Sequence, residues 1–366
     1  MTAMTAMAAV AITPTAGGLT APARIAIAAL DDPAWSAFVA AQHEATIFHH
    51  PTWTRIIADT YGYRAFALTA TDARGKVVAG LPVVAVPGVR GTSLVSLPFT
   101  DHCPPLAQNA VSFEAFVDGL VAWRQEIGSR VFDVRAELPA RPGIYHSTPA
   151  VRHVLPLDGG PTALQKLSRT PAHRAMRKAK RGGVAARITQ SPDDLSELYR
   201  LHWQTRQRQG VPVQPRRFFE AIWARLIERD LGFVVLAEVD DRPIAAAMFL
   251  AWNGQLIYKY GASDARYWAL RPNNLVMWTA IEWACARGYR LLDFGKTELN
   301  NQGLREFKRR WNALETPLIV SRIASQPPRA SSGLPGRLLS QLIKLSPRIV
   351  CRATGELLYG RFGATV

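Results

Sequence analysis

The chain has 366 residues, a formal net charge of +16 and an isoelectric point near 10.3, which is long enough for two domains of ordinary size. Hydrophobic residues make up 48% and charged residues 20%, which excludes a disordered or fibrous chain, while the excess of Lys and Arg favours polyanionic partners such as RNA, anionic lipid or pyrophosphate-bearing substrates. Cys103, Cys285 and Cys351 are too few and too widely spaced for a disulfide framework or a zinc site, so a reducing cytoplasm and no metal are expected.

Residues 1–23 are rich in Ala, Thr and Met and lack the basic and apolar regions of a signal peptide; disorder, or a start codon assigned upstream of the true one, is expected. No apolar run reaches the roughly 18 residues of a membrane span. Asp31–His43 then reads as a helix opened by Asp31-Asp32-Pro33, and the segment from His49 to Tyr63 as a second, with Pro51 at its start. Strands are expected at Ala65–Ala70, Val77–Val86 and Ser93–Leu97, a helix at Phe113–Ile127 and a strand at Val131–Ala136. Leu97–Pro105 is a Pro-bounded tip loop that carries Asp101 and His102.

The second half repeats the order. Helices are expected at Pro192–Gln209, with Tyr199, Trp203 and Arg206 near one another, and at Phe218–Glu228. Strands follow at Phe233–Val239, Ile244–Trp252 and Gln255–Ala262, the last two joined by Asn253-Gly254, a strong hairpin signal. A helix at Asn274–Arg287 stops at Gly288, and Arg290–Phe294 is a strand leading into a polar loop that opens with Asp-Phe-Gly. Two helices, three strands, a helix and a strand thus occur twice. Between the halves lies a helical pair with seven cations and no acid: Lys166, Arg169, Arg174, Arg177, Lys178, Lys180 and Arg181. Residues 326–366 form a basic amphipathic tail, with Leu338, Leu339, Leu342, Ile343 and Leu345 able to share one face. It would lie on an anionic membrane or pack on the second domain.

The chemistry-bearing segments are Gly288–Glu298 and Gly303–Asn312, which bring Asp293, Lys296, Glu298 and Lys308 to the end of a strand. Lys308, between Phe307 and a run of arginines, either supplies a cation to the chemistry or closes an ion pair with Glu306 or Glu298. Asp293 either caps its strand, orients Lys296 or Lys308, or acts as a base. By strand alternation Tyr258 and Tyr260 share a face, with Lys259 on the other. Arg174, Arg177 and Lys178 either hold phosphates or form a solvated face. His49-His50 reads as a helix N-terminal pair. Gly-x-Ser-x-Gly, Walker, Rossmann and zinc patterns are absent, and Asp-Phe-Gly lacks the other protein-kinase motifs.

Asp293-Phe-Gly-Lys-Thr-Glu298 and Leu304-Arg-Glu-Phe-Lys-Arg-Arg-Trp-Asn-Ala313 resemble the D-F-G-R-T/S and F-K-x-x-W-G segments of the FemAB-like acyltransferases, a branch of the GNAT superfamily. Arg174–Gly182 is similar to that family's R-x-x-I/M-R-K-A-x-x-x-G segment, and Pro98–Leu106 to its P-F-x-D-x-x-x-P-L loop. The resemblance runs from about Phe48 to Ser321. It implies an α/β protein of tandem GNAT-like folds, mixed sheets flanked by helices, with domains at 24–160 and 161–325. It implies N-acyl or aminoacyl transfer to an amine of an anionic cell-envelope precursor, of peptidoglycan or polysaccharide. Lys308 would stabilise the transition-state oxyanion, and the tip loop would face the substrate, where Asp101 or His102 can take the proton of the acceptor amine; the alternative for Asp101 is a side chain that stabilises the turn. The GNAT signature Gln/Arg-x-x-Gly-x-Gly/Ala, which holds the coenzyme A pyrophosphate at a helix start, falls on Ala269–Asn274, where neither glycine is present. Arg271, Asn273 and Asn274 remain for an anion. The donor is therefore either acyl-CoA or aminoacyl-tRNA, and the protein works in the cytoplasm or at the inner face of the membrane. Rival readings are a coenzyme A-dependent N-acetyltransferase of a small amine or amino sugar, and a non-catalytic polyanion- or membrane-binding module.

Overall fold

The computed structural model describes residues 22–88, 91–129, 131–158 and 160–328. The expectations for the N-terminal segment and for the basic tail lie almost wholly outside the described residues. The first half runs β1 (Ala26–Ala28), α1 (Pro33–Ala41), α2 (Pro51–Tyr61), β2 (Arg64–Thr71), β3 (Val77–Val86), β4 (Ser93–Val95), β5 (Leu106–Ala107), α3 (Ala110–Glu126), β6 (Val131–Val134) and β7 (Ile144–Pro156). The second runs α4 (Pro161–Leu167), α5 (Pro171–Arg181), β8 (Ala185–Thr189), α6 (Leu195–Gln209), α7 (Arg216–Arg225), β9 (Gly232–Val239), β10 (Arg242–Trp252), β11 (Gln255–Ser263), α8 (Pro272–Ala286), β12 (Leu291–Glu298), α9 (Gln302–Arg309) and β13 (Leu314–Ala324). The repeat seen in the sequence is present and gains a strand at each end: β1 and β8 lead the halves, and β7 and β13 close them.

Local chemistry explains the helix starts. Asp32 Oδ1 accepts from the amides of Ala34 and Trp35, Asn109 Oδ1 from Ser112, and Thr170 Oγ1 from His173; each side chain satisfies an otherwise orphaned N–H. The Asn109 cap starts α3 three residues before the expected Phe113. Asn253 and Gly254 take φ of +51° and +69°, which fits the tight hairpin expected there. Asn253 Nδ2 also donates to the carbonyls of Gln42, His43 and Ala45, tying this turn to the first half.

All strands join one mixed sheet, in the order β1-β2-β3-β4-β6-β13-β7-β12-β11-β10-β9-β8, with β5 beside β3. Each half ends its ladder with a parallel pair, β4 with β6 and β11 with β12. The halves then exchange their last strands. β7 leaves the first half to pair with β12, β13 leaves the second to pair with β6, and β7 and β13 pair with each other at the centre. This exchange corrects one expectation. The segment after Asp293 is not a loop but part of β12, because β7 supplies partners: Lys296 opposite Arg152, Thr297 opposite Val151 and Glu298 opposite Ala150. One apolar core crosses both halves, where Phe218 of α7 meets Trp53 and Tyr61 of α2 at ring separations of 6.0 and 5.6 Å. A second core surrounds α8 on the opposite face of the second half. Among the described residues no helix is long and apolar enough to cross a membrane.

Candidate active site

β11 and β12 pair in parallel only from Gln255/Leu291 to Ile257/Asp293, yet β11 continues to Ser263 and β12 to Glu298. Beyond Asp293 the two strands part in mid-sheet, and Tyr258, Lys259, Tyr260 and Gly261 stay half-buried in the gap. A bulge sharpens the opening: Met248 pairs with Tyr260 and Phe249 with Tyr258, so Lys259 has no cross-strand mate. The bulge corrects the expectation that both tyrosines share a face. Tyr258 packs against Phe249 and Phe294 on the α8 side, whereas Tyr260 packs against Phe218, Phe219 and His202 on the other. Lys259 joins Tyr260 on that second side. Its ammonium lies 5.1 to 5.4 Å from the ring centres of Phe48, Trp53 and Tyr260 and donates to the Phe99 carbonyl at 2.6 Å.

The tip loop of the first half reaches into this gap. Leu97 and Phe99 take φ of +124° and +58°, conformations uncommon for bulky residues. The Lys259 bond to Phe99 and the Trp53 Nε1 bond to Thr100 Oγ1 (2.9 Å) hold the loop there. Asp101 is thereby brought to β12, where its Oδ2 accepts from the Lys296 amide at 3.1 Å. Gly295 makes the approach possible. Its φ is +68°, and a Cβ there would lie 2.5 Å from Asp101 Oδ2. The Gly295 amide donates to Asp293 Oδ1 at 2.8 Å. Asp293 Oδ2 accepts from Nε and Nη2 of Arg152, both at 2.9 Å, and Arg152 Nη1 donates to His102 Nδ1 at 3.3 Å. Lys308, 1% exposed, donates to the carbonyls of Gly295 and Lys296 at 2.9 and 3.2 Å.

Two acids and three lysines thus meet where β11 and β12 separate. Burial opposes ionisation of Asp101, but the positive charge of Lys259, the Lys296 amide and the charges of Lys308 and Lys296 outweigh it and hold its pKa below the ordinary value. Burial lowers the pKa of Lys308 to about 8, against which Asp101 and Asp293 act. Lys259 is lowered by burial as well, with the same two carboxylates opposing. His102 is pushed to about 3 by burial and then by Arg152. With Nδ1 accepting from a guanidinium, His102 carries its proton on Nε2; of the two loop residues, Asp101 is the one held as an anion. An activity that uses the Lys308 ammonium should fall as pH rises through about 8. A pH–rate profile of the wild type, set beside Lys308→Met, checks this: the alkaline limb near that value should be present in the first and absent from the second.

Asp293 is bound by Arg152, not by Lys296 or Lys308. Glu306 is bound by Arg309 and Arg310 instead of Lys308, and Glu298 is exposed. Asn273 Nδ2 donates to Ser263 Oγ, Asn274 is buried at the start of α8, and Arg206 Nε donates to the Pro212 carbonyl. Arg174, Arg177 and Lys178 are exposed on α5, and none forms an ion pair among the described residues. α5 runs antiparallel to α8: His173 lies 4.6 Å from the Trp278 ring, while a Cβ on Gly182 would lie 3.3 Å from Leu270, next to the α8 start. His50 caps α2, and His49 is buried with Nε2 against the Pro104 carbonyl. Arg152 gave no signal in the sequence, because its strand is recognised only through its partners. The first half holds its counterpart. Asp133 on β6 receives two 2.7 Å bonds from Arg322 on the exchanged strand β13. Asp133 pairs with Val95 of the parallel strand as Asp293 does with Ile257.

Residues 168–309 match the family model described as an acetyltransferase (GNAT) domain. No curated protein matches the chain. Among solved structures, FemX is similar at a TM-score of 0.63 and 15% identity, over 85% of this chain and 97% of that one. L-PGS from Bacillus licheniformis is similar at a TM-score of 0.53 and 15% identity, over 88% of this chain and 100% of that one. At such identities the likeness establishes the fold, and the domain match establishes the class: the chain carries a GNAT acyltransferase domain.

Proposed function

We propose that this GNAT-fold acyltransferase transfers an acyl or aminoacyl group from acyl-CoA or aminoacyl-tRNA to an amine of an anionic cell-envelope precursor. One observation carries the reading: a buried ammonium, Lys308, sits beside Asp101 where β11 and β12 part. Attack of an amine on an acyl carbonyl gathers negative charge on oxygen and positive charge on nitrogen. Two of the three Lys308 N–H donors are bound to Gly295 and Lys296, leaving one for the oxyanion. Asp101 pairs with the acceptor as it arrives as an ammonium; loss of one proton to solvent frees the lone pair for attack. As the C–N bond forms the nitrogen becomes acidic and gives its second proton to Asp101, and collapse of the tetrahedral intermediate breaks the acyl C–S or C–O bond and expels the coenzyme A thiolate or the tRNA ribose oxygen, which takes up a proton. Because no positioned nucleophile stands in the cleft among the described residues, donor and acceptor react in a ternary complex.

The donor end suits a phosphate-bearing group. α8 begins without a side-chain cap, Arg271 precedes it with φ of +61°, and the basic end of α5 lies alongside. The envelope acceptor is supported by the resemblance of the Asp293–Glu298 and Leu304–Ala313 segments to the FemAB-like acyltransferases and by the fold shared with FemX. With such an acceptor the protein would work at the inner face of the membrane. Native mass spectrometry with acetyl-CoA, aminoacyl-tRNA and envelope precursors, followed by product analysis, tests the proposal; absence of any bound donor and of any acylated amine would overturn it. Changing Arg174, Arg177 and Lys178 together to Gln should raise the apparent KM and flatten its dependence on salt. An unchanged KM at low and high salt assigns these residues to a solvated surface.

A further inference from the structure

Trp268 is 47% exposed, the one aromatic among the exposed large apolar side chains of the described residues. It is nevertheless held firmly. Its Nε1 donates to Ser263 Oγ at 3.0 Å, and the Arg208 guanidinium stacks on the ring at 4.7 Å while Arg208 Nη1 donates to the Ser263 carbonyl at 3.3 Å. Ser263 Oγ is shared with Asn273 Nδ2 at 3.2 Å, which links the ring to the first turn of α8. An exposed indole needs none of these restraints for the fold. Restrained in this way, it loses little freedom when a flat ligand settles on it.

The position adds meaning. Ser263 ends β11, the strand whose residues Tyr258–Gly261 line the cleft. Ser263 lies five steps along the strand from Tyr258, about 16 Å at roughly 3.3 Å per residue. The ring is therefore tied to the end of the strand that lines the cleft, about that strand length from Tyr258. The surrounding charge is positive: Arg208 against the ring, Arg271 three residues on, and Lys178 and Arg181 on the adjoining end of α5. A rigid aromatic face among cations suits a nucleobase that carries phosphate, since every base has a face to stack and the phosphates meet the cations.

We infer that Trp268 is the stacking platform for a nucleobase of the acyl donor, placed beyond the Ser263 end of the strand that lines the cleft. The inference rests on the acyl-transfer reading above. Two donors share this chemistry. In acyl-CoA the base is the adenine at the far end of the pantetheine arm. In aminoacyl-tRNA it is a base some nucleotides inward, because the terminal adenosine bears the acyl group directly.

Calorimetric titration of the full chain with CoA, AMP and an RNA minihelix ending in CCA tests the inference, using wild type, Trp268→Ala and Trp268→Phe. Trp268→Ala should weaken the donor about tenfold or more, and Trp268→Phe should retain most of the affinity. Loss confined to CoA and AMP identifies the first source, and loss confined to the minihelix the second. Equal affinity of wild type and Trp268→Ala for every probe overturns the platform, as does the absence of any binding by the wild type. So does a Trp268→Ala protein that keeps its nucleotide affinity but no longer sediments with anionic phosphatidylglycerol vesicles, which would make the ring a membrane contact. Lys308-dependent turnover reads the underlying proposal separately, so the platform can fail while acyl transfer stands.

Discussion

Lys308→Met is expected to lower turnover by about 10²-fold or more, the scale of losing one oxyanion donor, while leaving the apparent KM of the donor nearly unchanged. The substitution preserves most of the side-chain volume in a site with 1% exposure and removes the ammonium with its charge and its N–H donors. Its effects on stability run in opposite directions. The carbonyls of Gly295 and Lys296 lose their donor, a loss on the order of 1–3 kcal/mol for a buried group left unpaired. Against that, the variant no longer confines an ammonium in a place that disfavours its charge. The folded pKa of about 8 lies below the ordinary lysine value of 10.5, so between these values the unfolded chain binds more protons than the native one. Wild-type stability should therefore gain from Lys308 as pH rises from about 8 towards 10.5, the range in which activity is lost, and Lys308→Met should lack that gain. Denaturant titrations across this range, beside the pH–rate profile, separate a catalytic cation from a purely structural one. Wild-type turnover in a folded Lys308→Met protein would sink the assignment.

What the sequence made legible was local. Val77–Val86 is a strand to the residue, since a run of β-branched side chains between turn signals needs no distant partner to be recognised. β12 was recognised only as far as Phe294; its continuation depends on β7, a strand from the other half. The bulge at Lys259 is likewise a property of the β10–β11 register, and a simple alternation rule placed Tyr258 and Tyr260 on one face. Asp101 and Lys308 were singled out by family resemblance and motif, while the contact between the loop of one and the strand beneath the other is a tertiary fact. Arg152 belongs to the same class: an arginine on a strand has no periodicity that marks it, and only the exchange of β7 brings it to Asp293.

That exchange supplies the second large expectation. Arg152–Asp293 and Arg322–Asp133 each join an exchanged strand to the parallel-paired strand of the opposite half, β12 and β6 respectively. Their carboxylates are 3% and 7% exposed, so removing either arginine strands a buried charge, at a cost of about 3 kcal/mol or somewhat more. Arg152→Met and Arg322→Met should both lower the denaturation midpoint, Arg322→Met less so because its guanidinium is more exposed, 36% against 19%. Turnover should separate them. Arg152 also holds His102, and the Asp293 it fixes accepts from the Gly295 amide, so its loss loosens the turn against which Asp101 rests. Arg322 lies by the parallel pair of the first half, and its link to the cleft runs at longer range through the Arg135 guanidinium, which feels the charges of both Asp133 and Asp101. Arg152→Met should therefore lose about tenfold or more in kcat, because small displacements of reacting groups are expensive, with Arg322→Met close to wild type when both are assayed well below their transitions. Equal retention of activity in both variants would make the two pairs equivalent strand locks and leave Asp101 and Lys308 as the chemistry of the cleft. Equal loss in both would mean that the exchanged strands set the cleft through the whole sheet, and the local chain from Arg152 to Gly295 would have no special part in it.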